Sequence, residues 1–393
     1  MQERVAVVAA KRTPIGRFLG AFSNKSAVEL GILAARGALE EAGIAPGDVN
    51  DVVFGHARQA GCGPNPARQV CVGSGLPVTV PALTLNQACG SGLQAMLLAR
   101  DRIRLGQTRV ALVGGMESMT QVPHLLPGAR QGYRLGHDTL VDGMYRDGFL
   151  CPIADQLMGE TAETLAVEHG ISREEQDTYA ARSQNRAEAA RKEGKFEAEI
   201  VPVTVKTRKG TEEVTQDEHP RDGVTAESLA KLAPVFSKDG TVTAGNASGI
   251  TDGAAALVLM SETEVAGRGV EPLAWLEDGE TAGVDPKIMG IGPVPAVQGL
   301  AARTGRPVAN YDLVELNEAF AAQVLAVDRE LHFDHEKLNV NGGAIALGHP
   351  IGASGARIVV TLIREMIRRN ARTGLATLCV SGGLGVAASF LRD

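Results

Sequence analysis

Several features that mark other classes of protein are scarce in this chain of 393 residues. Aromatic residues make up only 4% of it, and there is a single tryptophan. Basic residues do not outnumber acidic ones: 39 against 46 give a formal net charge of -7. This balance gives no support to a nucleic-acid partner or to a surface for anionic membranes, and an anionic ligand would need a local basic pocket.

Long apolar runs are also missing. The first run, Val5 to Ala10, has charged residues on both sides and is too short for a signal segment or a membrane span. The last three residues, Leu391 to Asp393, do not form the peroxisomal signal. We therefore expect a cytoplasmic protein without a membrane span.

Cysteine is too sparse and irregular for a disulfide framework. An odd number of scattered thiols is typical of a reducing compartment and leaves at least one for chemistry. The five cysteines are Cys62, Cys71, Cys89, Cys151 and Cys379.

What is present is typical of a soluble globular enzyme. Hydrophobic residues make up 44%, charged residues 22%, and 47 glycines suit many turns between strands and loops. The length favours two domains, or two halves of one large α/β body.

Val5 to Ala10 and Val52 to Gly55 are predicted to be buried strands. Between them, Ser26 and Glu29 have capping-box spacing and Gly43 is a helix stop.

A strand-turn-helix-strand plan begins at Leu83. The chain passes through CGSG (Cys89 to Gly92), continues as an apolar helix to about Arg104, and returns as a strand at Val110 to Val113 before Gly114 and Gly115. Small residues at the turn and apolar residues after it predict that the helix begins at the end of a buried strand.

The same plan recurs near the C-terminus. GASG (Gly352 to Gly355) opens a helix over Ala356 to Arg369, and a strand over Leu375 to Val380 leads to Gly382 and Gly383. The matched offsets favour an internal duplication. Chance is the alternative, because glycine and serine often open helices.

Between the two units, roughly from 116 to 243, the composition shifts toward charge. Ser172 and Glu175 form a second capping-box pattern before a polar helix to Glu193, and a charged stretch follows over 206–221. Such a segment suits a lid over a site built by the two units.

Two cysteines occupy positions suited to chemistry. Cys89 follows a strand and starts a helix, where free N–H groups and the helix dipole would lower the thiol pKa. Cys379 closes a strand, and the duplication would bring it to the same sheet edge as Cys89. The alternative for each is a small buried side chain in the core.

His349 and Asn317 could assist these thiols. His349 lies in GHPIGASG, whose glycines allow close approach of the backbone and whose Pro350 sets the helix entry, so its imidazole could activate a thiol or donate to an oxyanion. Asn317 in LNEAF could hold a water or a carbonyl, or could cap a helix. For the other seven histidines, an exposed or core position is the default.

Metal and dinucleotide sites are not expected. His56, Cys62 and Cys71 lack paired zinc-ligand spacing, and neither VGGMES nor SGGLG fits the full GxGxxG context.

Six motifs in order resemble the thiolase family, and together they span the whole chain. They are NQACGSG (86–92), GGMESM (114–119), AGNASGITDGAAA (244–256), LNEAF (316–320), NGGAIALGHPIGASG (341–355) and CVSGGLG (379–385).

The resemblance implies a duplicated α/β fold in which two five-stranded halves pack about central helices. Residues 1–116 and 244–270 would form the N-terminal half, 117–243 an inserted loop domain, and 271–393 the C-terminal half. It also implies a homodimer or homotetramer, with the catalytic helix starts at the carboxyl ends of strands.

For chemistry, the resemblance implies an acyltransferase that cleaves 3-ketoacyl-CoA or condenses acyl-CoA with acetyl-CoA. Cys89 would carry the acyl group with help from His349, and Cys379 would be the acid and base. Asn317 would hold a water at the enolate, and N–H groups of Cys89 and of the loop with Ser381 would bind the oxyanion. Acyl-CoA, acetyl-CoA and coenzyme A would be substrates, and no cofactor is expected.

Coenzyme A would lie under the insert. By their matching positions, Arg221 would lie near the nucleotide and Ser248 near the pantetheine, and Met158, Met289 and Phe320 would line the thioester channel. A solvated surface charge is the alternative for Arg221, and a core position is the alternative for the last three.

Two residues depart from the family pattern. Ser381 stands where many members have glycine, which should perturb the oxyanion site without abolishing it, since the N–H remains. Leu157 precedes Met158 where short-chain biosynthetic members usually have histidine. A strict acetoacetyl-CoA thiolase is therefore the alternative to a broader 3-ketoacyl-CoA thiolase.

Two further alternatives are a ketoacyl synthase acting on carrier-protein thioesters and a non-catalytic acyl-CoA-binding protein. The synthase would be expected to have a second histidine in place of Cys379. A non-catalytic relative would generally lose a catalytic cysteine or histidine, and all four of the implied residues are present here.

Overall fold

One mixed β-sheet runs through the computed structural model, which describes residues 3–208 and 210–393. Met1, Gln2 and Lys209 fall within the predicted domains and lie outside the described residues. The main strands of the sheet are β1 Val5–Arg12, β2 Asp51–Gly55, β3 Ala82–Leu85, β4 Val110–Ser118, β5 Thr251–Ser261, β6 Ala274–Gly283, β7 Leu313–Leu316, β8 Thr373–Val380 and β9 Leu384–Leu391.

The strand order across the sheet is β7-β8-β9-β6-β1-β5-β4-β2-β3, and the short strand Gly16–Arg17 pairs with β5. The strands β3, β2 and β4 at one edge are mutually parallel, and so are β7 and β8 at the other. The pairings between these edges are antiparallel. Both parallel groups therefore end in loops that can carry a site.

The α-helices follow the capping and glycine signals of the sequence. They are α1 Ala27–Ala42, α2 Pro66–Gly73, α3 Ser91–Arg104, α4 Met158–Glu168, α5 Arg173–Lys192, α6 Ala226–Leu229, α7 Glu262–Arg268, α8 Pro293–Thr304, α9 Ala321–Leu331, α10 Ala344–Leu347 and α11 Ile351–Arg369. The predicted capping boxes open α1 and α5, and left-handed Gly43 closes α1. No helix in the described part of the chain is long and apolar enough to cross a membrane.

Helices α3 and α11 lie at the centre of the molecule and share one apolar core with the inner faces of both halves of the sheet. A Cβ atom on Gly92 would lie 2.6 Å from the backbone N of Ala356, and one on Gly355 would lie 2.5 Å from that of Leu93. Glycine at these crossing points lets the two helices meet backbone to backbone. Helices α1 and α2 cover the outer face of the first half, and α8 and α9 that of the second.

The duplicated α/β plan is confirmed. The unit β2-β3-α3-β4-β5 corresponds to β7-α11-β8-β9, and the place of β3 in the second unit is taken by a single parallel bridge between Val314 and Leu338. Two predicted boundaries were wrong. The second central helix begins at Ile351, ahead of GASG, and β4 continues through Gly114 and Gly115 to Ser118, because these glycines accept the close approach of neighbouring backbone.

The segment between β4 and β5 contains α4, α5 and α6 and lies beside the loops at the carboxyl ends of the strands. It also contains a π-helix at Tyr145–Phe149 and three small hairpins. The hairpins pair His124–Leu125 with Val141–Asp142, Leu150–Cys151 with Gln156–Leu157, and Val203–Thr207 with Gly210–Val214.

Candidate active site

A cavity of about 480 Å³ opens between the starts of α3 and α11, the end of β8 and the segment that joins β4 to β5. Of the ten residues predicted for the site, nine line it, and the tenth, Asn317, does not. The nine are Cys89, Met158, Arg221, Ser248, Met289, Phe320, His349, Cys379 and Ser381.

Cys89 is presented by a tight 3₁₀ turn, Ala88–Gly90, before α3. Ala88 has φ of 44°, a left-handed conformation that a residue with a side chain adopts at a cost. Asn86 Oδ1 accepts the Ala88 N–H at 2.9 Å, and Ser91 Oγ accepts the Gln87 N–H at 2.8 Å while it donates to the Ala88 carbonyl at 2.7 Å. These bonds hold the turn that directs Cys89 into the cavity.

His349 faces Cys89 from the loop before α11. Its Nε2 lies 3.4 Å from Cys89 Sγ, and its Nδ1 lies 2.6 Å from Ser354 Oγ. Ser354 Oγ also lies 3.1 Å from the Pro350 carbonyl, to which it can donate its one proton while it accepts from Nδ1. We assign the imidazole proton to Nδ1 on this basis, and the assignment leaves Nε2 free to take the thiol proton.

The surroundings of His349 keep the imidazole neutral. Burial and the positive charges of Arg357 and Arg58 lower its pKa to about 3. A neutral imidazole with a free Nε2 can act as a base toward Cys89 over the whole physiological range.

The prediction of a lowered thiol pKa at Cys89 was wrong in direction. Burial raises the pKa of Cys89, and this outweighs the opposite effects of Arg58 and of the backbone N–H groups of Ser381 and Cys89. The helix-start argument considered local backbone only, whereas burial of the thiol is a tertiary effect. Cys89 and His349 are thus a neutral thiol and a neutral base, and the proton moves as the thiol attacks.

Cys379 lies near the end of β8 and pairs with Gly385 of β9. Its side chain is buried, and burial together with the nearby Cys89 raises its pKa well above the usual range of a thiol. A thiol in this state holds its proton until a strong base forms beside it, and its thiolate would in turn be strongly basic.

The loop after Cys379 tolerates serine at its first position. Gly382 and Gly383 have φ of 89° and 86°, which favours glycine, but Ser381 does not have a positive φ. The N–H of Ser381 faces the Cys89 sulfur, where it favours the thiolate. The departure at Ser381 therefore leaves the backbone donor in place without strain.

Asn317 follows β7, and its N–H donates to the Thr377 carbonyl at 3.0 Å. The side chain is buried, and neither polar atom of its amide has a hydrogen-bond partner within 3–208 and 210–393. The capping alternative is wrong, because α9 begins only at Ala321. A buried amide without partners fits the predicted role of binding a water.

Two apolar walls enclose the reacting groups. The wall beside Cys89 comprises Ala57, Met119, Met144, Phe149 and Ile351. The wall beside Cys379 includes Met158, Met289 and Phe320. These three residues pack in the apolar core and also line the cavity. Leu157 also lines the cavity. Low polarity near the thiols strengthens the electrostatic interactions that act on them.

The mouth of the cavity is more polar. Arg221 is exposed there, and its N–H donates to Gln184 Oε1 at 3.0 Å. Ser248 is half-buried and its N–H donates to the Ala319 carbonyl at 3.0 Å. His219 and Arg17, which the sequence reasoning missed, also line this end.

Arg58 and Ser354 contact the groups of the site, and sequence reasoning missed both. Arg58 lies in the loop after β2, lines the cavity and acts electrostatically on Cys89 and His349. The position of Arg58 after a parallel strand could have indicated that it lies at the site, and Ser354 within GHPIGASG could have been recognised as a partner of His349.

No group of three or more His, Cys, Asp or Glu side chains that could hold a metal ion occurs in the described part of the chain.

Comparisons with known proteins agree with this geometry. Models of the N-terminal and C-terminal thiolase domains match residues 5–263 and 270–392. An acetyl-CoA acetyltransferase of Pseudomonas aeruginosa is 52% identical, with 99% of each chain covered. The crystal structure of the Bacillus anthracis acetyl-CoA acetyltransferase superposes with a TM-score of 0.97 at 46% identity over 99% of each chain. Human mitochondrial 3-ketoacyl-CoA thiolase in complex with CoA gives 0.96 at 44%, over 100% of this chain and 98% of that one. The chain belongs to the thiolase family.

Proposed function

We propose that this protein is an acyltransferase that catalyses the reversible thiolysis of 3-ketoacyl-CoA through an acyl group on Cys89. The reverse reaction condenses acyl-CoA with acetyl-CoA. One observation carries the proposal: His349 Nε2 lies 3.4 Å from Cys89 Sγ, in a cavity that is also lined by the buried Cys379.

In the first half of thiolysis, His349 Nε2 takes the proton of Cys89 as the sulfur attacks the 3-keto carbon. The tetrahedral intermediate collapses and breaks the bond between carbons 2 and 3. Its electron pair forms the enolate of acetyl-CoA, which Cys379 protonates at carbon 2. The products are acetyl-CoA, acyl-Cys89, a Cys379 thiolate and an imidazolium at His349.

In the second half, the Cys379 thiolate takes the proton of coenzyme A, and the coenzyme A sulfur attacks the acyl carbon on Cys89. The bond between that carbon and the Cys89 sulfur breaks, and His349 returns its proton to Cys89. All three groups are then in their starting protonation states. These are the states favoured by the raised thiol pKa values and the lowered imidazole pKa.

Two sets of donors would stabilise the negative charge that forms on oxygen. The N–H groups of Cys89 and Ser381 are suited to the oxyanion of the tetrahedral intermediate. His349 and a water held by the amide of Asn317 are suited to the enolate oxygen. One donor of this kind is typically worth roughly 3 kcal/mol in the transition state.

Acyl-CoA, acetyl-CoA and free coenzyme A are the proposed ligands, and no further cofactor takes part in these steps. The similar human enzyme forms a complex with CoA, which supports coenzyme A as a ligand of this chain. We place its pantetheine along Ser248, Met158, Met289 and Phe320 and its nucleotide near Arg221, at the polar mouth.

For the organisation of the chain, we propose an N-terminal half of 1–116 and 244–270, a lid domain of 117–243 and a C-terminal half of 271–393. The lid boundary is based on the long segment between β4 and β5.

A homodimer or homotetramer in the cytoplasm is the proposed state. Gel filtration with light scattering would measure the assembly.

The test is thiolysis of 3-ketoacyl-CoA substrates from four carbons upward, with free coenzyme A. Activity that extends to longer chains is expected from the apolar wall beside Cys89 and from Leu157, and would indicate a role in fatty-acid or related catabolism. Activity confined to acetoacetyl-CoA would favour the strict acetoacetyl-CoA thiolase, the alternative supported by the names of the similar bacterial enzymes. No turnover of any chain length would favour a non-catalytic acyl-CoA-binding protein.

A further inference from the structure

The carboxylate of Glu117 ties together three segments beneath the cavity. Glu117 lies near the end of β4, and its side chain is 0% exposed. Its oxygens accept the N–H groups of Ala57 at 3.3 Å, Arg58 at 3.1 Å and Gly352 at 2.9 Å. These three hydrogen bonds hold the segments together, because each backbone N–H group would lack this partner without the Glu117 carboxylate.

Each of these donors belongs to a segment that carries a group of the site. Gly352 lies in the first turn of α11, directly after the loop that holds His349. A Cβ on Gly352 would lie 2.7 Å from the Met116 carbonyl oxygen and 2.8 Å from the backbone N of Ala57. The start of α11 therefore rests against the ends of β2 and β4, and Glu117 bonds it there.

Arg58 extends this connection toward Cys89. Its Nη2 donates to the Gly148 carbonyl at 3.0 Å in the π-helix that walls the cavity. The guanidinium lowers the pKa of Cys89 against the larger effect of burial. Glu117 fixes the backbone from which this guanidinium reaches both places.

His56 supplies the charge that makes a buried carboxylate tolerable. Its Nε2 lies 3.2 Å from Glu117 Oε1, and both side chains are 0% exposed. Burial opposes the charge on His56, but contacts with Cys62 and Glu117 raise its pKa to about 9, which favours the protonated imidazole beside the carboxylate. Removing one partner of such a pair leaves the other charge uncompensated.

The duplication gives this pair an equivalent at the reacting centre. His56 is the residue that follows β2, and Asn317 is the residue that follows β7. The last residues of β2 and β7, Gly55 and Leu316, pair with Gly115 of β4 and Thr377 of β8. Glu117 and Cys379 each lie two residues beyond these partners. The two pairs occupy matching positions, but only the second contributes a residue, Cys379, to the lining of the cavity.

We propose that Glu117, held by His56, is a positioning residue for the acylation of Cys89. It sets the approach of His349 to Cys89 through the N–H of Gly352, and the place of Arg58 through the backbone of the loop after β2. The role assumes the proposed thiolase reaction, in which His349 takes the Cys89 proton.

The experiment compares Glu117→Gln with Glu365→Gln in the full-length protein. Glu365 is also buried, lies near the other end of α11, and binds Asn341 and Arg369 away from the cavity. Two readouts are used: kcat and KM for acetoacetyl-CoA thiolysis, and the pH profile of Cys89 alkylation by iodoacetamide, followed by mass spectrometry. The alkylation readout does not depend on the enzyme being a thiolase.

For Glu117→Gln we expect kcat to fall at least tenfold with KM changed less than twofold. The alkylation profile should move to higher pH and converge with wild type at its alkaline plateau, where no base is needed. A carboxylate that acted only through its charge would do the opposite: its negative charge raises the pKa of Cys89, so its removal would move the profile to lower pH.

A profile shifted to lower pH, or a kcat loss no larger than that of Glu365→Gln, would overturn the proposal. If Glu117→Gln does not fold, Glu117→Asp gives the same test, because it keeps the charge beside His56 but cannot reach all three N–H groups. Wild-type kcat and profile in that variant would also overturn it. If wild type lacks thiolysis, the proposed function fails, and the alkylation profiles still decide the role of Glu117.

Discussion

Two buried histidines lie close to the start of α11, and their surroundings drive their protonation in opposite directions. His56 meets the Cys62 thiol and the Glu117 carboxylate, and despite the opposing effect of burial its pKa rises to about 9. For His349, burial and two guanidinium groups outweigh the opposing charge of Glu117 and lower its pKa to about 3. The same side chain is therefore a fixed cation in one place and a fixed neutral base in the other.

The difference teaches how to separate a supporting residue from a reacting one. His56 lies at ion-pair distance from a carboxylate that itself accepts three backbone N–H groups, so this pair is directed at other groups of the protein. Nδ1 of His349 is hydrogen-bonded to Ser354 Oγ, and its Nε2 faces the thiol of Cys89. A buried polar atom that is held on one side and free on the other is poised for a substrate.

Removing the thiol that faces His349 should have the largest effect. We expect Cys89→Ala to lose thiolysis by about 10⁴-fold or more, because the acyl-enzyme cannot form. Turnover of acetoacetyl-CoA and mass spectrometry of the acylated protein check this. Cys71→Ala, which removes a buried thiol from the core under α2, is the control and should retain activity. Full turnover by Cys89→Ala would remove Cys89 from the mechanism.

Cys379→Ser should separate the two halves of the reaction. A hydroxyl is a much weaker acid than a thiol, so protonation and deprotonation at carbon 2 should slow by about 10³-fold. Acylation of Cys89 by acetyl-CoA needs only His349 and should persist. Mass spectrometry of the acyl-enzyme and the rate of acetoacetyl-CoA formation report the two steps. Loss of acylation as well would mean that the roles of the two cysteines are misassigned.

The reacting residues were accessible from sequence because each lies in a local pattern. Cys89 and His349 precede central helices within glycine-rich turns, and Cys379 closes a strand before two glycines. Parallel strands bring such turns to one edge, and this rule accounts for Cys89, His349 and Cys379. The other six predicted residues that line the cavity came from the resemblance to the thiolase family. The capping boxes of α1 and α5 were equally local.

The supporting residues were not accessible, because their partners are distant in sequence. Glu117 binds Ala57 and Gly352 across the fold, and nothing in GGMES indicates this. The raised pKa of Cys89 was missed for a similar reason: a helix start can be read locally, whereas burial depends on packing that forms only in the complete fold.

Ser354→Ala tests what holds the neutral tautomer of His349. Without the Oγ acceptor, Nδ1–H loses its partner and the ring can reverse its tautomer. The loss of a buried hydrogen bond of about 1–3 kcal/mol predicts a fall in kcat of about tenfold or somewhat more. Single-turnover acylation of Cys89 should slow by the same factor, and Ser354→Thr should recover most of the rate. Wild-type acylation in Ser354→Ala would show that the cavity alone orients the imidazole.

The smallest expected effects lie in stability against pH, where the two histidines should act on opposite sides of neutrality. His349 has a lowered pKa, so its neutral form favours the folded state above about 6.5, and that stability is lost as pH falls toward 3. His56 has a raised pKa, so its contribution is complete below about 6.5 and is lost as pH rises toward 9. Urea unfolding at pH 5, 6.5 and 8.5 would measure both. His349→Gln should flatten the acid side by at most about 1.4 kcal/mol per pH unit, and His56→Gln should flatten the alkaline side. If both variants flattened the same side, the opposite protonation states assigned to the two histidines would be wrong.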